Sequence, residues 1–93
     1  MKNYDVRAAD FTNAGFHDDA IRMLASYLSE NPNLRSVVLD QNMFTDDGLK
    51  RLTQALKVNT KLAHLSIREC INITGKGLSD LCDVISTVNT VLF

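Results

Sequence analysis

No apolar run in this chain of 93 residues approaches the eighteen or so that a membrane span needs, and "MKNYDVRAAD" at the N-terminus has no apolar signal core. A membrane is therefore not an expected partner, and an intracellular, cytoplasmic protein is expected. Charge of one sign is lacking too: the formal net charge is -1 and the pI is near 6.0, which gives no basic field for nucleic acid or anionic lipid. Cysteine occurs twice, and Cys70 and Cys82 lack the C-x-x-C spacing of a zinc or redox site. Both are expected as buried thiols that pack as small apolar groups. There is no P-loop, no H-E-x-x-H and no Gly-x-Ser-x-Gly, so no cofactor, metal or catalytic site is expected. The "NIT" at Asn72 is read as a chance match to a glycosylation pattern.

What is present is ordinary globular composition, with 45% apolar and 23% charged residues, in a length that fits one domain over 1–93. Within it the pattern repeats. Leu34, Val37, Leu39 and Asn42 recur as Leu62, Leu65, Ile67 and Cys70 at an offset of 28. Phe44, Thr45, Gly48, Leu49, Leu52 and Leu56 recur as Ile73, Thr74, Gly77, Leu78, Leu81 and Ile85 at 29. A weaker copy precedes them, with Val6, Ala9, Phe11, Ala14 and Phe16 followed by Ile21, Leu24 and Leu28. At the far end "NTVLF" restarts the pattern. The repeats run over about 6–33, 34–61 and 62–91.

Each repeat contains two periodicities. Leu-x-x-Val-x-Leu and Leu-x-x-Leu-x-Ile alternate as a short strand with one buried face does. Ile21/Leu24/Leu28, Leu49/Leu52/Leu56 and Leu78/Leu81/Ile85 follow i, i+3, i+7, the stripe of an amphipathic helix. Thr45 and Thr74 can cap helix starts, and the pairs Asp18/Asp19 and Asp46/Asp47 suit the positive end of the helix dipole. Asn31-Pro32, Asn59 and Asn89 mark helix ends. Strand, helix and strand in this spacing predict parallel neighbours joined by right-handed crossovers, and so a curved α/β solenoid. Where the strand turns away, Asn42 and Cys70 are expected one above the other, satisfying backbone groups in the next turn.

"LRSVVLDQNMFTDDGLKRLTQAL" resembles the leucine-rich-repeat consensus L-x-x-L-x-L-x-x-N, and its length and helix look like the ribonuclease-inhibitor class. "LAHLSIRECINITGKGLSDL" is similar to the cysteine-containing class of F-box adaptor proteins. The resemblance implies a leucine-rich-repeat solenoid of about three repeats, parallel strands on its concave face and helices on its convex face. It also implies a non-catalytic scaffold that binds another protein, or alternatively an adaptor or regulator, such as ubiquitin-ligase substrate recognition or small-GTPase control.

In such a fold the residues between the inward ones face the open surface, and they align across repeats. Ala8, Ser36 and His64 make one row, Asp10, Val38 and Ser66 a second, and Thr12, Asp40 and Arg68 a third. Asp40 is expected beside Arg68, since neighbouring strands lie about 4.8 Å apart. Asp10, Asp40, His64, Ser66 and Arg68 are the candidate protein-binding residues, though an exposed Asp40–Arg68 pair contributes only about 0–1 kcal/mol. Lys50, Arg51, Lys57 and Lys61 fit the ordinary solvated side of an amphipathic helix better than an acidic-partner site. Leu92 and Phe93 mark an open C-terminal end, where Leu65, Ile67, Leu81, Ile85 and Val88 are expected to be exposed in cross-section. That end is expected to self-associate, to be covered by Val91–Phe93 folding back, or to continue into a longer array.

Overall fold

The computed structural model describes residues 7–30, 33–58, 61–88 and 90–92. Strand β1 (Ala8–Asp10) leads to α1 (Asp18–Glu30), β2 (Ser36–Val38) to α2 (Asp46–Val58), and β3 (His64–Ser66) to α3 (Gly75–Ile85); β4 (Val91–Leu92) follows. The strands form one parallel sheet in the order β1-β2-β3-β4. Parallel strands cannot be joined by a tight hairpin, and here each pair is bridged by one helix. The helices lie side by side, α1 on α2 and α2 on α3. No helix among the described residues is long and apolar enough to cross a membrane.

The core forms where the two periodicities meet. Leu34, Val37 and Leu39 come from the sheet side, with Leu62, Leu65 and Ile67 below them, and Ile21, Leu24, Leu28, Leu49, Leu52, Leu56 and Leu81 come from the helices; all are buried. In the first repeat Ala9, Phe11 and Phe16 are only partly buried, and the rings of Phe11 and Phe16 lie 5.1 Å apart. The third helix departs from the expected stripe: Leu81 is buried, Ile85 is half-buried and Leu78 is 38% exposed. No fourth helix covers that side of α3 among the described residues. Cys82, expected to be buried, is exposed for the same reason, whereas Cys70 is buried.

At the C-terminal end, where an open cross-section was expected unless Val91–Phe93 covered it, a fourth strand lies along the sheet. Val91 N–H donates to Ala63 O at 2.8 Å, and β4 pairs with β3, His64 opposite Val91 and Leu65 opposite Leu92. Leu65, Ile67 and Leu81 are accordingly buried. Thr90 lies inside, its hydroxyl donating to Leu62 O at 2.6 Å. Leu92 is half-buried, and Phe93 lies outside the described residues, as do Val6 and the expected helix-end markers Asn31, Pro32, Asn59 and Asn89.

Two devices lock the repeats together. The first is Asn42, fully buried. Its Nδ2 donates to Phe11 O and Leu39 O, both at 2.9 Å, and to Asp40 O at 3.2 Å. Its Oδ1 accepts the N–H groups of Ala14 at 3.1 Å and Phe16 at 3.0 Å. The amide thus serves the preceding repeat, not the next one as expected, because it is the preceding turn whose N–H groups point at it. Cys70 occupies the equivalent place and also reaches back, Sγ to Leu39 O at 3.1 Å; burial pushes its thiol pKa up.

The second device joins the helix starts. Asp18, first residue of α1, accepts the Thr45 N–H and hydroxyl, both at 2.7 Å, and the Gly48 N–H. Asp46, first residue of α2, accepts the Thr74 N–H at 2.8 Å, the Thr74 hydroxyl and the Gly77 N–H. A carboxylate of one repeat therefore caps the helix of the next, where orphan N–H groups and the helix dipole favour a negative charge. Thr74 does not cap its own helix through its side chain, a correction to the local reading, because its hydroxyl is committed to Asp46. Glycine is required at 48: a Cβ there would stand 2.5 Å from Asp18 Oδ1, and one at Gly77 would collide with Asp46 Oδ1.

Candidate functional site

The sheet face turned away from the helices is built from alternate strand residues. Because successive side chains point to opposite faces, burying Val37 and Leu65 leaves their neighbours outside. The register sets Ala8 beside Ser36 and His64, and Asp10 beside Val38 and Ser66. These are the two rows expected from the offset of 28. Ala8, Asp10, His64 and Val91 are exposed, Ser36 and Val38 are intermediate, and Ser66 is buried. A wholly parallel sheet normally has both faces covered; here, among the described residues, no element covers one of them.

Just beyond the strands the face has a polar edge. Asp10 Oδ1 accepts the Thr12 hydroxyl at 2.6 Å and the Thr12 N–H at 2.9 Å. These two bonds, the hydroxyl first, hold the Asp10 carboxyl below the usual carboxylate pKa against a smaller opposing effect of desolvation. Asp40 Oδ1 accepts the Ser66 hydroxyl at 2.6 Å and the Arg68 N–H at 2.8 Å. Asp40 does meet residue 68 as its row requires, and the bond described is to the backbone of Arg68, which is itself exposed. The carboxylate therefore ties the third repeat to the second, and Ser66 is held from beneath.

A row that the strand pattern did not single out runs alongside. Asn13, Gln41 and Glu69 have φ of 51°, 59° and 57°, each reversing the chain after its strand. The left-handed conformation costs a non-glycine residue about 1–2 kcal/mol. Hydrogen bonds offset it: Asn13 N–H donates to Asp40 O and Gln41 N–H to Arg68 O, both at 2.9 Å. Gln41 Nε2 also donates to Glu69 Oε2 at 2.9 Å. The signal was in the sequence, since Gln41 and Glu69 stand 28 residues apart, as the paired residues of β2 and β3 do.

The helix side is grooved rather than pocketed. A cleft of about 390 Å³ between α1 and α2 is lined by Arg22, Ala25, Ser29, Arg51, Gln54 and Val58 among others. Lys50, Arg51 and Lys57 are exposed there, and Lys61 is exposed in the turn before β3. Asp47 and Asp80 share the clefts with these cations. Arg22 is ion-paired to Asp19.

No protein-family model matches the chain. Among curated human proteins, it is 42% identical to "NACHT, LRR and PYD domains-containing protein 14" over 60 residues, which cover 63% of this chain and 5% of that protein. It is 28% identical to "NACHT, LRR and PYD domains-containing protein 13" over 88 residues, 95% of this chain and 8% of that one. The chain thus spans less than a tenth of the length of either relative. The likeness is weak and partial, it is to proteins named for leucine-rich repeats, and the parallel sheet of strand–helix units described above is compatible with a leucine-rich-repeat-like fold.

Proposed function

We propose that this chain is a leucine-rich-repeat solenoid of the ribonuclease-inhibitor-like class, with one cysteine-containing-type repeat, and that it acts in the cytoplasm as a non-catalytic scaffold. Its partner is a protein, held on the concave sheet face. The observation that carries the reading is the uncovered face of a wholly parallel sheet, a surface such sheets usually bury. Ala8, Ser36 and His64 form its centre, and Asp10, Asp40 and Arg68 its edge. The polar edge is preorganised, since Asp10 and Asp40 are already held by Thr12, Ser66 and the Arg68 backbone. Such groups lose little freedom on binding. The same bonds fit a non-catalytic role, because the Ser66 hydroxyl is spent on tying its strand to Asp40.

The test is a cross-linking capture comparing wild type, Ser36→Arg with His64→Glu, and the helix-side variant Arg51→Glu with Lys57→Glu. Loss of capture by the sheet-face variant alone, with unchanged thermal unfolding, is the expected result. Equal capture by all three overturns the concave-face reading.

A further inference from the structure

The two grooves between neighbouring helices are built alike and charged differently. Arg22 of α1 corresponds to Lys50 of α2 at an offset of 28, and Arg51 of α2 to Asp80 of α3 at 29. Between α2 and α3 a cation therefore meets an acid: Lys50 lines the clefts there with Asp80, and Lys57 with Asp83. Between α1 and α2 the same two places are held by Arg22 and Arg51, and no carboxylate lines the cleft they share. An adjoining cleft adds Lys50 and Asp47, and Arg22 is ion-paired to Asp19, so three cations stand against two acids. Among the described residues the side chains of Lys50, Arg51 and Gln54 make no hydrogen bond or ion pair. Two guanidinium groups across one groove repel each other. An anion between them offsets that repulsion, and the planar fork of each arginine matches the oxygens of a phosphate.

The groove is cationic at one end and apolar further along. Its parallel helices put Arg22, the fifth residue of α1, level with Arg51, the sixth of α2. About one turn on, Ala25 and Ala55 are buried and form the floor, with the exposed Ser26 and Gln54 at its sides. Val58, 69% exposed, lies about 10 Å beyond Arg51 at the rise of an α-helix. A volume of about 390 Å³ is at the small end of ligand sites, enough for one ring and one phosphate. The alanines leave room for a flat body, and an arginine plane stacks on an aromatic face.

We propose that the groove between α1 and α2 binds an aryl phosphate, its phosphate between Arg22 and Arg51 and its ring over Ala25 and Ala55 toward Val58. A phosphorylated tyrosine on a peptide and a free aromatic phosphate share this chemistry. The groove lies on the helix side, so this site stands or falls independently of the sheet-face binding role.

Isothermal titration calorimetry on the 93-residue chain, with phenyl phosphate and a phosphotyrosine peptide as separate titrants, tests it. One-to-one binding of at least one of them is expected, about tenfold or more tighter than inorganic phosphate or phenol. Arg51→Gln and Arg22→Gln should each weaken it about tenfold or more with unchanged thermal unfolding, and Lys76→Gln in the other groove should leave it unchanged. Both arginines are exposed, and Arg22→Gln serves should Arg51→Gln not fold. Tighter binding of the peptide assigns the site to a protein's phosphorylated tyrosine; equal or tighter binding of phenyl phosphate assigns it to a free aromatic phosphate. Binding of neither overturns the proposal, and so does inorganic phosphate or phenol held as tightly as either. An affinity that both arginine variants leave intact, or that Lys76→Gln lowers as much as they do, overturns it as well.

Discussion

A single buried amide carries much of the link between the first two repeats. Asn42 makes five hydrogen bonds, to the backbones of Phe11, Ala14 and Phe16 in the preceding repeat and of Leu39 and Asp40 in its own. Replacing it by alanine would leave several of those groups without a partner, each at about 1–3 kcal/mol where buried. Asn42→Ala is expected to destabilise the chain by about 3 kcal/mol. Urea unfolding would show this as a lower midpoint at nearly constant slope, and an unchanged midpoint would mean that water replaces the amide. The terminal asparagine of the strand motif was legible in sequence as a backbone satisfier. Its direction was not, because the three groups it serves outside its own turn lie 26 to 31 residues away.

At the scale of the helix, glycine usually costs about 1 kcal/mol relative to alanine. Gly48 inverts that rule, because the Asp18 carboxylate fills the space its Cβ would need. Gly48→Ala is expected to lose about 1–3 kcal/mol, and much of the loss should vanish in an Asp18→Ala background. A double-mutant cycle measures this directly; strictly additive effects would separate the glycine from the clamp.

The clamp also has a pH signature. For Asp18, burial raises the pKa, but the Thr45 hydroxyl and N–H, the Gly48 N–H and nearby Arg22 together outweigh it and leave the pKa lowered. For Asp46 the Thr74 hydroxyl leads, followed by the Thr74 N–H, and again the pKa is lowered. A carboxyl whose folded pKa lies below its unfolded value contributes stability above the unfolded pKa and loses it as pH falls through the folded one. Acid unfolding should therefore begin as pH drops below about 4. Asp18→Asn with Asp46→Asn should flatten that dependence, as thermal melts across the acid range would reveal. Sequence placed these acids at helix starts, where the dipole alone accounts for them; their second role needs the neighbouring repeat in place.

For the whole molecule, the offset of 28 missed the register of β4, where Leu92, expected in the place of Leu62, stands beside Leu65. It was enough to give the order of the strand–helix units, the core residues from Leu34 to Leu65 and the register of β1, β2 and β3. These follow from local periodicity: a strand alternates and a helix returns every three or four residues, so apolar spacing specifies which side must leave water. What periodicity cannot encode is whether a neighbour is there. Leu78 and Cys82 fit the buried pattern and are exposed, since no described helix packs beyond α3. Whether the end beyond Leu65 and Ile67 would stay open or be covered was not legible either; β4 pairs with β3, and both residues are buried. Asp40 lies beside residue 68 as the offset requires, and it also accepts the Ser66 hydroxyl, a bond the alignment of rows did not predict. Sequence alone thus determined the repeat and its inward face, because both are set by contacts within one strand–helix unit. Tertiary structure decided the clamps, the direction of Asn42 and the character of the two ends, because those depend on which groups of an adjacent unit remain unsatisfied.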